Sequence, residues 1–256
     1  LELEYSISYE DEVRINQAIA SGKRISLVTY VLGVEGESKL KFVLESILAQ
    51  YGRIDLMEVL YTAAKELIAN STKAAIKRMI FQELNLNINV PSDYAIGMEK
   101  FKTYLNEQKF PAYRNKMREQ NYFVKITVSH NKERLCLYVM NNFALLPVEE
   151  ERVREKFIHA KQYDNLFEFF MKHGDNSEGA GMGITMVEIL LSQSGFKRKN
   201  FHILSSPAAN ITIAKVTLPF MEPDSWTESS GLSFWAKEEQ LISGMYSLDD
   251  VKKVMV

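Results

Sequence analysis

Two short clusters hold side chains able to do chemistry. In the run KELIANSTKA at residues 65–74, Glu66, Asn70 and Lys73 are spaced four and three apart. On a helix that spacing puts all three on one face, and Lys77 continues the row. A carboxylate can activate a water, a neutral amide oxygen can hold Mg²⁺, and an ammonium can balance phosphate charge. Glutamate with lysine a turn or two later also describes an ordinary solvated helix surface. Asn70 separates the two readings, because asparagine is a poor mid-helix residue and needs a reason to be there. The second cluster, Gly179-Ala180-Gly181-Met182-Gly183, follows a polar run at 173–178 and feeds the apolar stretch 184–191. Alternate glycines free backbone N–H groups to approach a ligand, and a helix start presents a positive dipole, a combination suited to phosphate. The competing reading is a glycine loop ahead of a plain core helix.

The elements that must position these clusters follow from periodicity. Residues 10–21 have helical spacing, and ISLVTYVL at 25–32 has the β-branched, apolar character of a buried strand. Residues 38–50 read as an amphipathic helix. From Asp55 to about Glu83 a long helical pattern runs without glycine or proline, and it carries Glu66, Asn70 and Lys73. A break at 84–91 precedes mixed-charge helices around Pro111. Residues 122–129 alternate Phe123, Lys125, Thr127 and Ser129 against Val124, Ile126 and Val128, and residues 134–140 are the hairpin partner across Asn131-Lys132-Glu133. A helix is expected over residues 148–171, another from Ile184, and two strands at 201–205 and 210–218.

KELIANSTKA resembles the asparagine box of the histidine-kinase-like ATPases, which include gyrase, Hsp90, sensor histidine kinases, MutL and the anti-sigma serine kinases. GAGMGI at 179–184 resembles their second glycine box, and TIAKVTLPF at 212–220 resembles the closing strand of kinase catalytic domains. The resemblance spans roughly residues 54–220. It implies an α+β fold, a two-layer α/β sandwich with helices packed on one face of a mixed, mostly antiparallel sheet. It also implies ATP and Mg²⁺ as ligands. Glu66 would then be the catalytic base or position it, Asn70 the metal ligand, and Lys73, Gly179, Gly181, Met182 and Gly183 cofactor-binding residues. Phe157, Phe167, Phe169 and Phe170 are similar to a phenylalanine box, and aromatics on an amphipathic helix are equally a core feature.

One segment departs from the family. Where the first glycine box, Asp-x-Gly-x-Gly, is expected, this chain has Asn141-Asn142-Phe143-Ala144-Leu145-Leu146, followed by a matching Pro147-Val148-Glu149-Glu150 flank. Asn141 stands in the adenine-binding position, where its carbonyl oxygen can still accept from an adenine amine without the charge assistance of aspartate. Phe143 and Leu145 replace glycines and forbid positive φ. Phe143 then either fills the base pocket or stands outward and stacks on a purine.

Bulk properties exclude other classes. The 256 residues are 46% hydrophobic, and 31 basic against 33 acidic residues give a formal charge of −2, so no global field points to nucleic acid or an anionic membrane. Cys136 lies in an apolar run and reads as a small buried hydrophobe, in keeping with a cytoplasmic setting. No stretch approaches the roughly 20 apolar residues of a membrane span. The four histidines share no metal-ligand spacing. Residues 1–53 read as an N-terminal extension packed on the core, 54–220 as the ATPase-like domain with a helical insertion at 92–122, and 221–256 as a tail. The expected function is an ATP- and Mg²⁺-binding signalling domain that phosphorylates or regulates a protein partner, with a homodimer admitted. The alternative is a pseudo-ATPase serving as a protein-interaction platform.

Overall fold

A computed structural model describes residues 7–104, 110–173 and 182–220. In chain order the elements are α1 (Tyr9–Ala20), β1 (Ile25–Thr29), α2 (Val34–Gln50), α3 (Met57–Glu83), α4 (Pro91–Tyr104), α5 (Phe110–Glu119), β2 (Val124–His130), β3 (Arg134–Asn141), α6 (Pro147–Ala160), α7 (Leu166–His173), α8 (Gly183–Gln193), β4 (Phe201–Ser206) and β5 (Ile211–Pro219). The five strands form one sheet in the order β1-β2-β3-β5-β4, with every neighbouring pair antiparallel. The molecule is a two-layer α+β structure, as the sequence implied.

Strand alternation decides which face meets the helices. Val124, Ile126 and Val128 on β2, Leu135, Leu137 and Val139 on β3, and Val216 and Leu218 on β5 enter one core. Against them pack Val43, Leu44, Ile47 and Leu48 of α2, Leu60, Ala64, Leu67 and Ile68 of α3, and Val187 and Leu191 of α8. Each of these is below a tenth exposed, and burial of a Val or Leu side chain contributes about 1.5–3 kcal/mol. The opposite face is mixed: Val28, Cys136, Tyr138, Met140 and Ile213 are buried in a second apolar cluster, while Ser26 Oγ and Thr127 Oγ1 lie 2.9 Å apart and the Lys215 ammonium stands 5.7 Å from the Tyr138 ring centroid. Cys136 is buried on that side, its Sγ 3.6 Å from Thr217 Oγ1. Residues 25–50 share the main core, with β1 as an edge strand and α2 against α3.

Helix α3 spans 27 residues and stops where Asn85 takes φ of 52°, the left-handed conformation asparagine tolerates best after glycine. Its C-terminal half forms a second core: Ala75, Ile76, Met79 and Ile80 meet Phe101 of α4, Tyr113 and Met117 of α5, and Phe143. The helix expected over residues 148–171 is instead two. The chain turns after Ala160, buries Tyr163 against Phe169 with ring centroids 5.3 Å apart, and restarts where Asn165 Oδ1 accepts from Glu168 N at 2.9 Å. A good N-cap inside a helical pattern breaks it. No described helix is long and apolar enough to cross a membrane.

Candidate functional site

Helices α3 and α8 meet at a glycine. A Cβ placed on Gly183 would lie 2.6 Å from Asn70 Nδ2 and 2.6 Å from Glu66 Oε2. Only hydrogen fits between the first turn of α8 and these two polar side chains. Glu66 and Asn70 are half-buried on the same face of α3, as their spacing requires, and half-buried Lys73 follows one turn on. The Asn70 Nδ2 atom is buried and has no hydrogen-bond partner. An orphaned donor of that kind costs about 1–3 kcal/mol, which an acceptor oxygen in its place would offset. Met182 caps α8 in αR backbone, and its side chain turns away to pack against the cluster of Ala160, Tyr163, Phe169 and Ile189. Gly179 and Gly181 lie outside the described residues.

From Ser71 to Arg78, a span of about 10 Å at 1.5 Å per residue, the same helix is closed off. Asn141, the last residue of β3, is 4% exposed, and its Nδ2 donates to the backbone carbonyl of Ser71 at 3.1 Å. The amide thereby ties the strand to the helix beside Asn70. Thr212, paired with Asn141 in register, donates its hydroxyl to Phe143 O at 2.8 Å. The Phe143 ring turns inward, 6% exposed, with the Arg78 guanidinium 4.7 Å from its centroid and Tyr122 edge-on at 5.9 Å. The three backbone amides that follow are all taken. Ala144 N donates to Asn210 Oδ1 at 3.2 Å, Leu145 N to Ser205 Oγ at 2.9 Å, and Leu146 N to Glu149 Oε2 at 2.9 Å.

A buried ion cluster backs this loop. Glu149 accepts from Arg78 through both oxygens, at 2.9 and 2.5 Å, and pairs with Lys77, while Arg78 also donates to Ala144 O at 3.1 Å. Burial, reinforced by the neighbouring Arg78 and Arg152 charges, pulls the Lys77 ammonium down to about 7. Burial likewise lowers Arg78 to about 10. Lys77, which continued the Glu66–Asn70–Lys73 row by spacing, thus belongs to the closed stretch.

Sequence reasoning missed Arg78, Glu149, Ser205, Asn210 and Thr212. One signal was present: Lys77-Arg78 interrupts an otherwise apolar run from Ala74 to Phe81, and two cations in such a setting require a carboxylate. The serine, asparagine and threonine carry no sequence signal, since their partners are 60, 66 and 69 residues away, respectively.

No family model matches the chain, and no solved structure matches it. An uncharacterized protein of Treponema pallidum (strain Nichols) is 30% identical over 209 residues. The match covers 82% of this chain and 40% of the relative, so the chain spans about two fifths of that protein's length.

Proposed function

We propose that this chain is a Mg²⁺- and polyphosphate-binding domain of the histidine-kinase-like ATPase class, with ATP as the ligand its motifs imply and a protein as the target of its signalling. The observation that carries the reading is the fit of Gly183 against Glu66 and Asn70. It joins the two motifs, more than a hundred residues apart in sequence, into one constellation. The residues suit the ligand on chemical grounds. The Asn70 amide offers a donor that lacks an acceptor, and its oxygen is a hard ligand of the kind Mg²⁺ takes alongside phosphate and water. Bound Mg²⁺ would neutralise phosphate charge. Glu66, on the same face, is placed to orient or deprotonate a nucleophile, and the start of α8 offers its dipole to the anion.

A second reading has its own observation. The inward Phe143 and its paired surroundings favour a pseudo-ATPase that keeps the fold as a protein-binding platform. Calorimetric titration with ATP, with and without Mg²⁺, on the wild type and on Asn70→Ala decides between the two. Mg²⁺-dependent binding that the substitution removes is expected. No heat and no thermal shift at millimolar nucleotide would favour the platform.

A further inference from the structure

We infer that the site reads the phosphates of its ligand and not the base, so that any nucleoside triphosphate, or inorganic tripolyphosphate, is bound about equally well. This rests on the polyphosphate reading of Glu66, Asn70 and Gly183 and goes beyond it to the class of ligand.

Recognition of a nucleobase needs a slot for its flat faces and donors or acceptors left over for its edge. The described wall beside Asn70 supplies neither. Its nearest amide, on Asn141, donates one N–H to Ser71 O and is only 4% exposed, so its other N–H and its carbonyl oxygen are covered from a base edge. The next aromatic, Phe143, has its ring occupied by Arg78 on one side and Tyr122 on another, and is 6% exposed. The backbone amides of Ala144, Leu145 and Leu146 each donate to a side chain of a different element: the turn ahead of β5, β4 and α6. Arg78 is divided between Glu149 and Ala144 O, and Lys77 is paired with Glu149. A loop held by that many separate partners is a built wall, and opening it would orphan several buried groups together.

The phosphate end differs in kind. There a buried donor lacks a partner, and two half-buried polar side chains crowd a glycine at the start of α8. Among the described residues the groups left to give affinity are Asn70, a Mg²⁺ held beside it and Glu66, and the start of α8, and the base is left without a slot.

The test is a calorimetric series of ATP, CTP and inorganic tripolyphosphate, each with excess Mg²⁺, on the wild type and on Asn70→Ala. The expected result is three dissociation constants within about threefold of one another, all weakened by the same factor of about ten or more in Asn70→Ala. ATP binding about tenfold or more tighter than tripolyphosphate overturns base indifference while leaving the polyphosphate reading intact. The same holds if ATP alone responds to the substitution. Binding by none of the three overturns both.

Discussion

Two stretches of helix α3 solve opposite problems with similar residue types. Around Lys77 and Arg78, charged groups are buried and every one finds partners, so the region is finished as it stands. Around Glu66 and Asn70, polar groups are half-buried, and one donor is left without an acceptor. A folded chain tolerates an orphan where an outside group completes it. The difference favours reading the first region as structure and supports the site proposed at the second, although by composition alone the Lys-Arg pair is the stronger anion candidate.

The largest effect on stability is expected from Glu149→Ala. Removing the shared carboxylate leaves Arg78 and Lys77 buried and uncompensated, and Arg78 cannot readily shed its proton. A loss of about 3–5 kcal/mol is expected in urea unfolding. A loss under about 1 kcal/mol would mean that water reaches the cluster and that the closed stretch is softer than described. Phe143→Ala comes next at about 3 kcal/mol, the range for emptying an aromatic from a packed core, read by the same measurement. If Phe143 were instead held outward for stacking on a base, the change would be nearly silent.

The ion cluster also makes stability depend on pH. The Lys77 ammonium falls from the ordinary 10.5 to about 7 in the folded chain. Between those values the unfolded chain retains a proton that the native state has lost, so this residue's contribution to stability grows as pH rises through the window and is smallest below it. Relative to Lys77→Met, the wild type should gain stability on the order of 1 kcal/mol per pH unit above neutrality, followed by thermal unfolding at several pH values. A flat difference would mean that Lys77 stays protonated in the folded chain across this window, as it does unfolded.

At the open stretch the signs reverse. Asn70→Ala replaces a poor helix former and removes the orphaned donor, so the ligand-free protein should become more stable by about 0.5–1 kcal/mol while Mg²⁺-dependent binding disappears. Thermal shift with and without ligand reads both quantities. Equal destabilisation with and without ligand would make Asn70 a structural residue and would dissolve the contrast between the two stretches. Smallest of all in stability is Gly183→Ala, expected within about 1 kcal/mol of the wild type, because only the tips of Glu66 and Asn70 must move and alanine suits a helix better than glycine. Binding in that variant should nevertheless fall by about tenfold or more.

Much of the fold was legible because it is local. Helix α3 lacks any glycine or proline across its length, and the β2–β3 hairpin is marked by Asn131, whose Oδ1 accepts from Glu133 N and Arg134 N at 2.9 Å each. The Glu66–Asn70–Lys73 face was legible for the same reason, being a matter of helical phase. The inward turn of Phe143 was not. Both orientations suited the sequence, and the choice is made by Ser205, Asn210 and Thr212 on the far hairpin. The break between α6 and α7 escaped notice because its aromatic and charged residues suit a helix, and only Asn165 and the burial of Tyr163 reveal the turn. Likewise, Gly183 was recognisable as part of a glycine loop. That it serves as the contact between two helices depends on packing that no spacing encodes.

The missing side chain at position 183 has a practical meaning for anyone altering this protein. Because Glu66 and Asn70 lie within 2.6 Å of where a Cβ would stand, any residue larger than glycine there presses directly on the two side chains of the proposed site. The size of the residue chosen becomes a dial on that pressure. Alanine is the smallest such addition, and a small series from glycine through serine to valine would crowd the site by degrees from within, with no inhibitor added.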